Sequence, residues 1–109
     1  MLKLVLLQGY TFGAGDYGRQ HAFKIYDESD APFDATAYGL PVVRVFDTAG
    51  SVVTVTGSWT TQGQGAGTFS FTQASHPAVP GPYYIAVQLE KPGSIVTTER
   101  RRLAVVLAG

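Results

Sequence analysis

Cysteine is absent from this chain of 109 residues. Without thiolates the protein forms no disulfide, has no cysteine nucleophile and lacks the usual ligands of a structural zinc site. An excess of charge of one sign is also missing, because eight basic and eight acidic side chains balance. A neutral chain has no long-range field that draws it to DNA or to an anionic membrane, so we expect neither nucleic acid nor membrane as a partner.

Long hydrophobic runs and a targeting segment are missing as well. The apolar run at the N-terminus ends before Gln8, which makes it shorter than the core of a signal peptide, and no small-residue cleavage site follows. No window approaches the roughly 18 apolar residues of a membrane span. We therefore expect one complete domain over residues 1–109 that stays soluble where it is made.

Apolar and polar residues alternate with a period of two, which is typical of half-buried β-strands. Glycine-containing turns at residues 47–50 and 91–94 predict two hairpins. The predicted strand segments include Leu2–Leu7, Leu40–Phe46, Ser51–Trp59, Tyr83–Glu90 and Ile95–Leu107. No helical spacing of apolar residues persists for more than one turn. The sequence thus predicts an all-β, immunoglobulin-like β-sandwich of about seven to eight antiparallel strands.

The same alternation predicts which side chains fill the space between the two sheets. The predicted core consists of Phe23, Ile25, Val43, Val45, Phe69, Phe71, Tyr83, Ile85 and Val87. The stiff loop Pro80-Gly81-Pro82 precedes Tyr83. We expect Tyr83 to turn its ring inward and to bond its hydroxyl to the backbone of that loop, as a tyrosine corner does.

The sequence shows no catalytic constellation. His21 and His76 lack the spacing of a metal-binding pair, and no GxSxG nucleophile motif occurs. Gly13 to Gly18 matches a loose dinucleotide fingerprint, but no helix follows it and no βαβ unit surrounds it. We expect no enzyme, no catalytic residue and no cofactor.

Acidic side chains cluster after a predicted strand, at residues 27–34. Oxygen ligands at such a corner can hold calcium in a sandwich fold, although the EF-hand pattern is absent. Alternatively, Asp27 and Asp30 close a turn through their side chains. Because turns use Asp and Ser heavily, we favour the turn and predict no metal site.

The N-terminal segment 1–18, a first strand followed by a glycine-rich loop, is a candidate interface arm. Both faces of the strand are apolar and only Lys3 is charged, so we expect cover on both sides. Either the glycine-rich loop or a neighbouring chain would supply that cover. The candidate interface residues are Leu2, Leu4, Leu6, Tyr10, Phe12 and Tyr17.

The aromatic residues of this loop leave a second interpretation open. Aromatic faces stack on sugar rings, and Tyr10, Phe12 and Tyr17 crowd the glycine-rich loop. A sandwich core also consumes aromatic side chains, which favours packing over binding. The alternative function is a carbohydrate-binding or adhesive module with a host glycan as its ligand.

The basic run Arg100, Arg101 and Arg102 is a second candidate interface. Successive residues of a strand point to opposite faces, so three arginines cannot form one patch on their own. One interpretation is that their charge protects an edge strand against unwanted pairing. The other is that they face acidic groups of a neighbouring subunit.

Five short motifs follow one another along about three quarters of the chain. They are Phe23-Lys-Ile25-Tyr-Asp27, Asp30-Ala-Pro32-Phe-Asp34-Ala-Thr36, Val43-Arg-Val45-Phe-Asp-Thr-Ala-Gly50, Gly67-x-Phe69-x-Phe71 and Pro80-Gly81-x-Tyr83. In this order they resemble a family of phage structural modules, the immunoglobulin-like N-terminal domain of baseplate upper proteins. The chain departs from the family at Ala35, where leucine is usual, and in the first turn, which lacks the family's glycine.

This resemblance implies a non-enzymatic virion structural protein. Such a module attaches to or decorates the capsid surface, the tail or the baseplate through protein–protein contacts. Its partners would be other virion proteins, and the chain would be a homo-oligomer or occur in many copies in the particle. A protein without cysteine, signal peptide or net charge suits assembly in the host cytoplasm, so the expected localisation is the virion.

Overall fold

Extended strands dominate the computed structural model, which describes residues 2–7, 9–50 and 52–106. Valine, isoleucine, threonine and aromatic residues, which suit a pleated strand, fill about half of the strand positions. The described strands are β1 (Lys3–Leu6), β2 (Thr11–Gly13), β3 (Gln20–Tyr26), β4 (Val42–Asp47), β5 (Val52–Thr56), β6 (Ser58–Thr61), β7 (Ala66–Ser70), β8 (Gly81–Lys91), β9 (Ser94–Thr97) and β10 (Arg101–Val106). A single turn of 3-10 helix spans Gln62–Gln64, and no helix of the described residues is long and apolar enough to cross a membrane.

Two sheets pack face to face. The four-stranded sheet has the order β1-β3-β7-β6. The six-stranded sheet has the order β2-β10-β8-β4-β5, and β9 also pairs with β8. The predicted all-β, immunoglobulin-like sandwich is confirmed. The described residues form ten strands instead of seven to eight, because two predicted strands are interrupted and β2 forms within the predicted glycine-rich loop. β2 and β10 pair in parallel instead of antiparallel.

The N-terminal chain contributes one strand to each sheet. β1 pairs with β3, and the glycine-rich segment then crosses to the other sheet, where β2 runs alongside β10. Backbone hydrogen bonds extend that pairing, since Ala104 N donates to Tyr10 O (2.8 Å) and Ala14 N donates to Val106 O. The described part of the glycine-rich loop is thus built into the second sheet and does not fold back over β1. Gln8, the first residue of this loop, lies outside the described residues.

The predicted core is confirmed. All nine side chains lie between the sheets with exposed fractions of 7% or less. The core also takes in apolar residues of β1, β2 and β10, namely Leu4, Leu6, Phe12, Leu103 and Val105. The core of this small sandwich therefore draws on nearly every strand.

Both predicted hairpins form. β4 and β5 pair around the 47–50 turn, where Gly50 has a φ of +89°. β8 and β9 pair around the 91–94 turn, where Gly93 has a φ of +79°. Glycine adopts these left-handed conformations without the steric cost that a Cβ imposes.

The predicted strand Ser51–Trp59 is divided at Gly57. β5 before it belongs to the six-stranded sheet, and β6 after it belongs to the four-stranded sheet. A Cβ at Gly57 would lie 2.6 Å from the carbonyl oxygen of Thr68, so only glycine permits this close crossing between sheets. Ser51 lies outside the described residues.

The predicted final strand, Ile95–Leu107, is interrupted by a β-bulge. Thr97 lies opposite Gln88, whereas Arg101 lies opposite Ile85, so four steps on one strand match three on the other. Such an extra residue reverses which side chains face the core. Leu107 lies outside the described residues.

The side chain of Thr98 replaces a backbone group at this bulge. Its buried hydroxyl accepts a hydrogen bond from Val87 N (3.0 Å) and donates one to Glu99 O (3.1 Å). The Thr98 N–H donates to Val87 O (2.9 Å). The pairing lost by the bulge is therefore satisfied locally, as buried polar groups require.

The predicted tyrosine corner is confirmed. The Tyr83 hydroxyl donates to Val79 O at 2.8 Å, while the ring is buried in the core. This bond fixes the loop before β8 to the strand that follows it. The position at which β8 enters the six-stranded sheet is consequently fixed.

Candidate interaction site

The acidic turn after β3 is held together by its own carboxylates. Asp27 Oδ1 accepts hydrogen bonds from the N–H groups of Ser29 (2.8 Å) and Ala31 (3.1 Å). Asp34 Oδ1 accepts from the hydroxyl and the N–H of Thr36, and these bonds lower the pKa of Asp34. The turn interpretation is confirmed for Asp27. The described residues contain no group of three or more His, Cys, Asp or Glu placed to hold a metal ion.

Asp30 differs from the prediction, because its carboxylate does not close the turn. It forms an ion pair with Lys3 of β1, which raises the pKa of Lys3. The Asp30 backbone has a φ of +63°, a left-handed conformation that Asp tolerates better than most residues. The ion pair joins β1 to the acidic turn, although solvent weakens so exposed a pair.

The aromatic residues predicted for the loop separate into core and surface. Phe12 is buried, and its ring centroid lies 4.5 Å from that of His21. Tyr10 is half-buried, and its hydroxyl accepts a hydrogen bond from Leu6 N (3.2 Å). Tyr17, with 51% of its surface exposed, is the most exposed of the three. These side chains thus do not form the stacking platform that a sugar ring needs.

A small cavity lies beneath the glycine-rich loop, between Phe12, Tyr17, Arg19 and His21. Its volume is about 40 Å³, whereas pockets that bind small molecules usually enclose roughly 300–1,000 Å³. Burial, and then the charge of Arg19, lower the pKa of His21, which favours the neutral imidazole. The cavity has room for water but not for a sugar.

The apolar residues of β1 are core residues. Leu4 and Leu6 face the opposite sheet with 0% and 5% exposure, and Leu2 packs partly against the same core. The prediction that Leu4, Leu6 and Phe12 offer a surface to a partner is wrong, because the two sheets of the domain itself enclose them. Leu7, on the other side of the chain, is 58% exposed.

The three consecutive arginines are all exposed but point in different directions. Arg101 pairs with Glu99 (3.2 Å) and lies over the ring of Tyr10, at 5.2 Å from its centroid. Arg100 and Arg102 lie on the outer face of the six-stranded sheet, because the bulge before β10 reverses the alternation there. β10 itself lies between β2 and β8, so these arginines do not guard an edge strand.

Arg100 and Arg102 meet a third arginine on this outer face. Arg44 and Phe46 point outward from β4, since Val43 and Val45 point into the core. We define the arginine face as Arg44, Phe46, Tyr84, Arg100 and Arg102. The alternation in β4 could have shown that Arg44 and Phe46 point outward. Only the order of the strands shows that they lie beside the C-terminal arginines.

Comparisons with known proteins support the fold alone. No protein family model matches the chain, and no curated protein matches it. Among solved structures, the chain is similar to the Lin-41 filamin domain, with a TM-score of 0.51 and 15% sequence identity over 90% of this chain and 89% of that chain. This likeness agrees with an immunoglobulin-like sandwich. The resemblance to phage modules stays a prediction, because none of these comparisons tests it.

Proposed function

We propose that the protein is a non-enzymatic structural subunit of a phage particle. It would attach to the capsid surface, the tail or the baseplate through protein–protein contacts and would carry out no catalytic turnover. The observation that supports this proposal most directly is the place of the phage-like motifs in the fold. The five motifs fall on β3, the acidic turn, the β4–β5 hairpin, most of β7 and the tyrosine corner.

The structure gives a physical reason for the residue types of the second motif, which spans residues 30–36. Pro32 forms an isolated bridge with Tyr26, next to the end of β3. Asp34 fixes the next turn, and Ala35 behind it is fully buried, with its N–H bonded to Gln62 O (3.0 Å). The alanine here and the leucine that is usual in the family are both apolar, as a buried position requires. The departure at position 35 is thus compatible with the same fold.

The connections between the strands are held by side chains, which suits a protein whose role is geometric. The Gln62 side-chain amide donates to Ala35 O and Tyr38 O, each at 2.8 Å. At the tyrosine corner, Tyr83 holds the loop at Val79. A subunit that positions its neighbours needs loops fixed on a rigid scaffold, because motion in the contacting loops weakens every contact.

Quantitative mass spectrometry of purified phage particles tests the proposal. We expect the chain at a constant copy number relative to the major capsid protein, across gradient fractions and after a salt wash. A host protein of similar abundance in the lysate serves as the control for carry-over. Absence of the chain from purified particles, while it is present in the lysate, would overturn the proposed function.

A further inference from the structure

The arginine face is assembled by the register of three neighbouring strands. Arg102 on β10 lies opposite Tyr84 on β8, and Tyr84 lies opposite Phe46 on β4. Residues directly opposite one another in antiparallel strands share one side of the sheet. Tyr84 points outward because its two neighbours on β8, Tyr83 and Ile85, are both buried in the core. Arg44 is the next outward residue on β4, so the set lies within two adjacent rows.

Aromatic and amide groups hold two of the guanidinium groups in place. Arg100 lies over the ring of Phe46, 4.2 Å from its centroid, and Arg44 lies 5.8 Å from the same centroid. Arg44 Nη1 also donates to Gln88 Oε1 at 3.2 Å. A guanidinium that stacks through its flat face keeps N–H donors at its edge for a ligand. Restraint before binding also reduces the side-chain entropy that binding would cost.

In the part of the chain that the structure describes, these arginines have no anionic partner. Within residues 2–7, 9–50 and 52–106, no carboxylate lies within ion-pair distance of Arg44, Arg100 or Arg102, whereas Arg101 pairs with Glu99. The sequence accounts for this. The strands beside β4 are β5 and β8. Residues 48–89, which include β5 and most of β8, contain no Asp, Glu, Lys or Arg.

The surroundings of the arginine face match the composition of protein interfaces. Tyr84 is 38% exposed, and Val52, opposite Phe46 on β5, is 41% exposed. Arginine and tyrosine are enriched at protein–protein interfaces and among the residues that contribute most to binding. The face thus combines unneutralised positive charge with exposed apolar area, and its natural complement is an acidic protein surface.

The charges around the arginine face favour a short anion over a long one. Glu90 points to the same side of β8 as Tyr84, Asp47 follows Phe46, and Glu99 precedes Arg100. A nucleic-acid backbone several nucleotides long would pass close to these carboxylates. The zero net charge also provides no long-range attraction for a polyanion. Two neighbouring carboxylate side chains, in contrast, need only the centre of the face.

We infer that the arginine face binds a segment of another particle protein that presents two or more clustered Asp or Glu side chains. The planar fork of arginine matches a carboxylate through two parallel hydrogen bonds. This inference rests on the proposed function, in that it takes the partner to be a protein of the particle.

An NMR titration of the isotope-labelled chain measures the chemistry of the face directly. One probe is a peptide of about ten residues that carries two adjacent glutamates among glycine and serine, and the other is an oligothymidylate of about ten nucleotides, each at about 50 and about 300 mM salt. We expect the glutamate peptide to shift the backbone amides of β4, β8 and β10 around the arginine face, with weaker binding at the higher salt. If oligothymidylate shifts these amides and the glutamate peptide does not, the partner is a nucleic acid and not a protein. That result would overturn the inference. Failure of both probes to bind there would overturn it as well.

Two variants of equal net charge separate the arginine face from charge in general. The test variant combines Arg44→Gln, Arg100→Gln and Arg102→Gln. The control variant combines Arg19→Gln, Lys24→Gln and Lys91→Gln. We expect the test variant to bind the glutamate peptide about tenfold or more weakly and the control to bind it within about twofold of the parent. Equal losses in both variants would show that only net charge matters and would contradict the inference.

Incorporation into particles distinguishes failure of the inference from failure of the proposed function. The parent chain and both variants are supplied during phage assembly, and their copy numbers in purified particles are compared. We expect the parent and the control variant in particles and the test variant strongly depleted, with similar melting temperatures for all three. Normal incorporation of the test variant would overturn the inference and leave the proposed function standing. Absence of the parent from particles would overturn the proposed function, and with it the particle protein as partner, while the titration still reports what the face binds.

Discussion

The two segments that the sequence marks as candidate interfaces lie in opposite environments. In the N-terminal segment, Leu4, Leu6 and Phe12 are enclosed by the two sheets, and only Tyr17 of its aromatic residues is well exposed. In the C-terminal segment, Arg100 and Arg102 lie on the outside of the sandwich. Apolar character did not identify a contact surface here, whereas the basic run is exposed, as the cost of burying an unpaired charge requires.

The physical reason is the size of the domain. A chain of 109 residues has a high ratio of surface to volume, so a stable core needs most of its large apolar side chains. An apolar first strand is therefore drawn into the core before it can serve a partner. An arginine has no such competing use, since its burial without a partner costs far more than its exposure.

The largest effect expected from this comparison follows from Leu4→Ala. Loss of this fully buried side chain leaves a cavity between β1 and the opposite sheet, so we expect the free energy of unfolding to fall by about 2–5 kcal/mol. Phe71→Ala and Ile85→Ala should fall in the same range. Urea unfolding monitored by Trp59 fluorescence measures all three. A urea midpoint unchanged by Leu4→Ala would contradict the assignment of Leu4 to the core.

We expect a smaller loss of stability from Tyr83→Phe, which removes the hydroxyl oxygen and keeps the ring. The variant loses the hydrogen bond to Val79 O, and we expect the free energy of unfolding to fall by about 1 kcal/mol. The same urea experiment measures this change. Equal stability of Tyr83→Phe and the parent would show that the bond contributes nothing to the corner.

We expect a still smaller effect on stability from pH, through His21, whose ring contacts Phe12 of the N-terminal segment. Burial lowers the folded-state pKa of His21 below the ordinary value of 6.5, so the unfolded chain binds its proton more readily. The stability that depends on neutral His21 is fully present above about pH 6.5 and falls as the pH is lowered from there to the folded-state pKa. Thermal melting between pH 7.5 and 5, compared in the parent, His21→Gln and the control His76→Gln, measures it. We expect the parent and the control to lose stability across this range and His21→Gln to lose less; parallel losses in all three would contradict the assignment.

The smallest effect on stability is expected on the arginine side of the comparison. Arg102 is exposed and makes no ion pair within the part of the chain that the structure describes. We expect Arg102→Gln to change the free energy of unfolding by no more than about 0.5 kcal/mol. Urea unfolding alongside Leu4→Ala gives the direct contrast. A large loss for Arg102→Gln would mean that this arginine serves the fold, and the distinction between the two segments would disappear.

The sequence predicts those features that depend on neighbours along the chain. Alternation identified the nine core residues, and the glycine turns identified both hairpins. The tyrosine corner was predictable because Pro80-Gly81-Pro82 and Tyr83 are consecutive. In each case the decisive interaction lies within a few residues.

Features that depend on strand order and register were not predictable in this way. Only one extra residue, beside the buried Thr98, decides whether Arg100 and Arg102 point inward or outward, and no residue type marks that bulge in advance. Arg44 and Phe46 are more than fifty positions away from them in the sequence. Their meeting depends on which strands the sheet places side by side, and a pattern of period two carries no such information.

The parallel pairing of β2 and β10 has a mechanical consequence. β2 lies near the start of the chain and β10 near its end, and the two strands run in the same direction. Tension applied between the chain before β2 and the chain after β10 therefore slides the two strands along each other. Their backbone hydrogen bonds are loaded together instead of one after another, and rupture requires all of them to fail at once. A domain joined to its surroundings through these two points would resist pulling far better than one held by a hairpin that opens bond by bond.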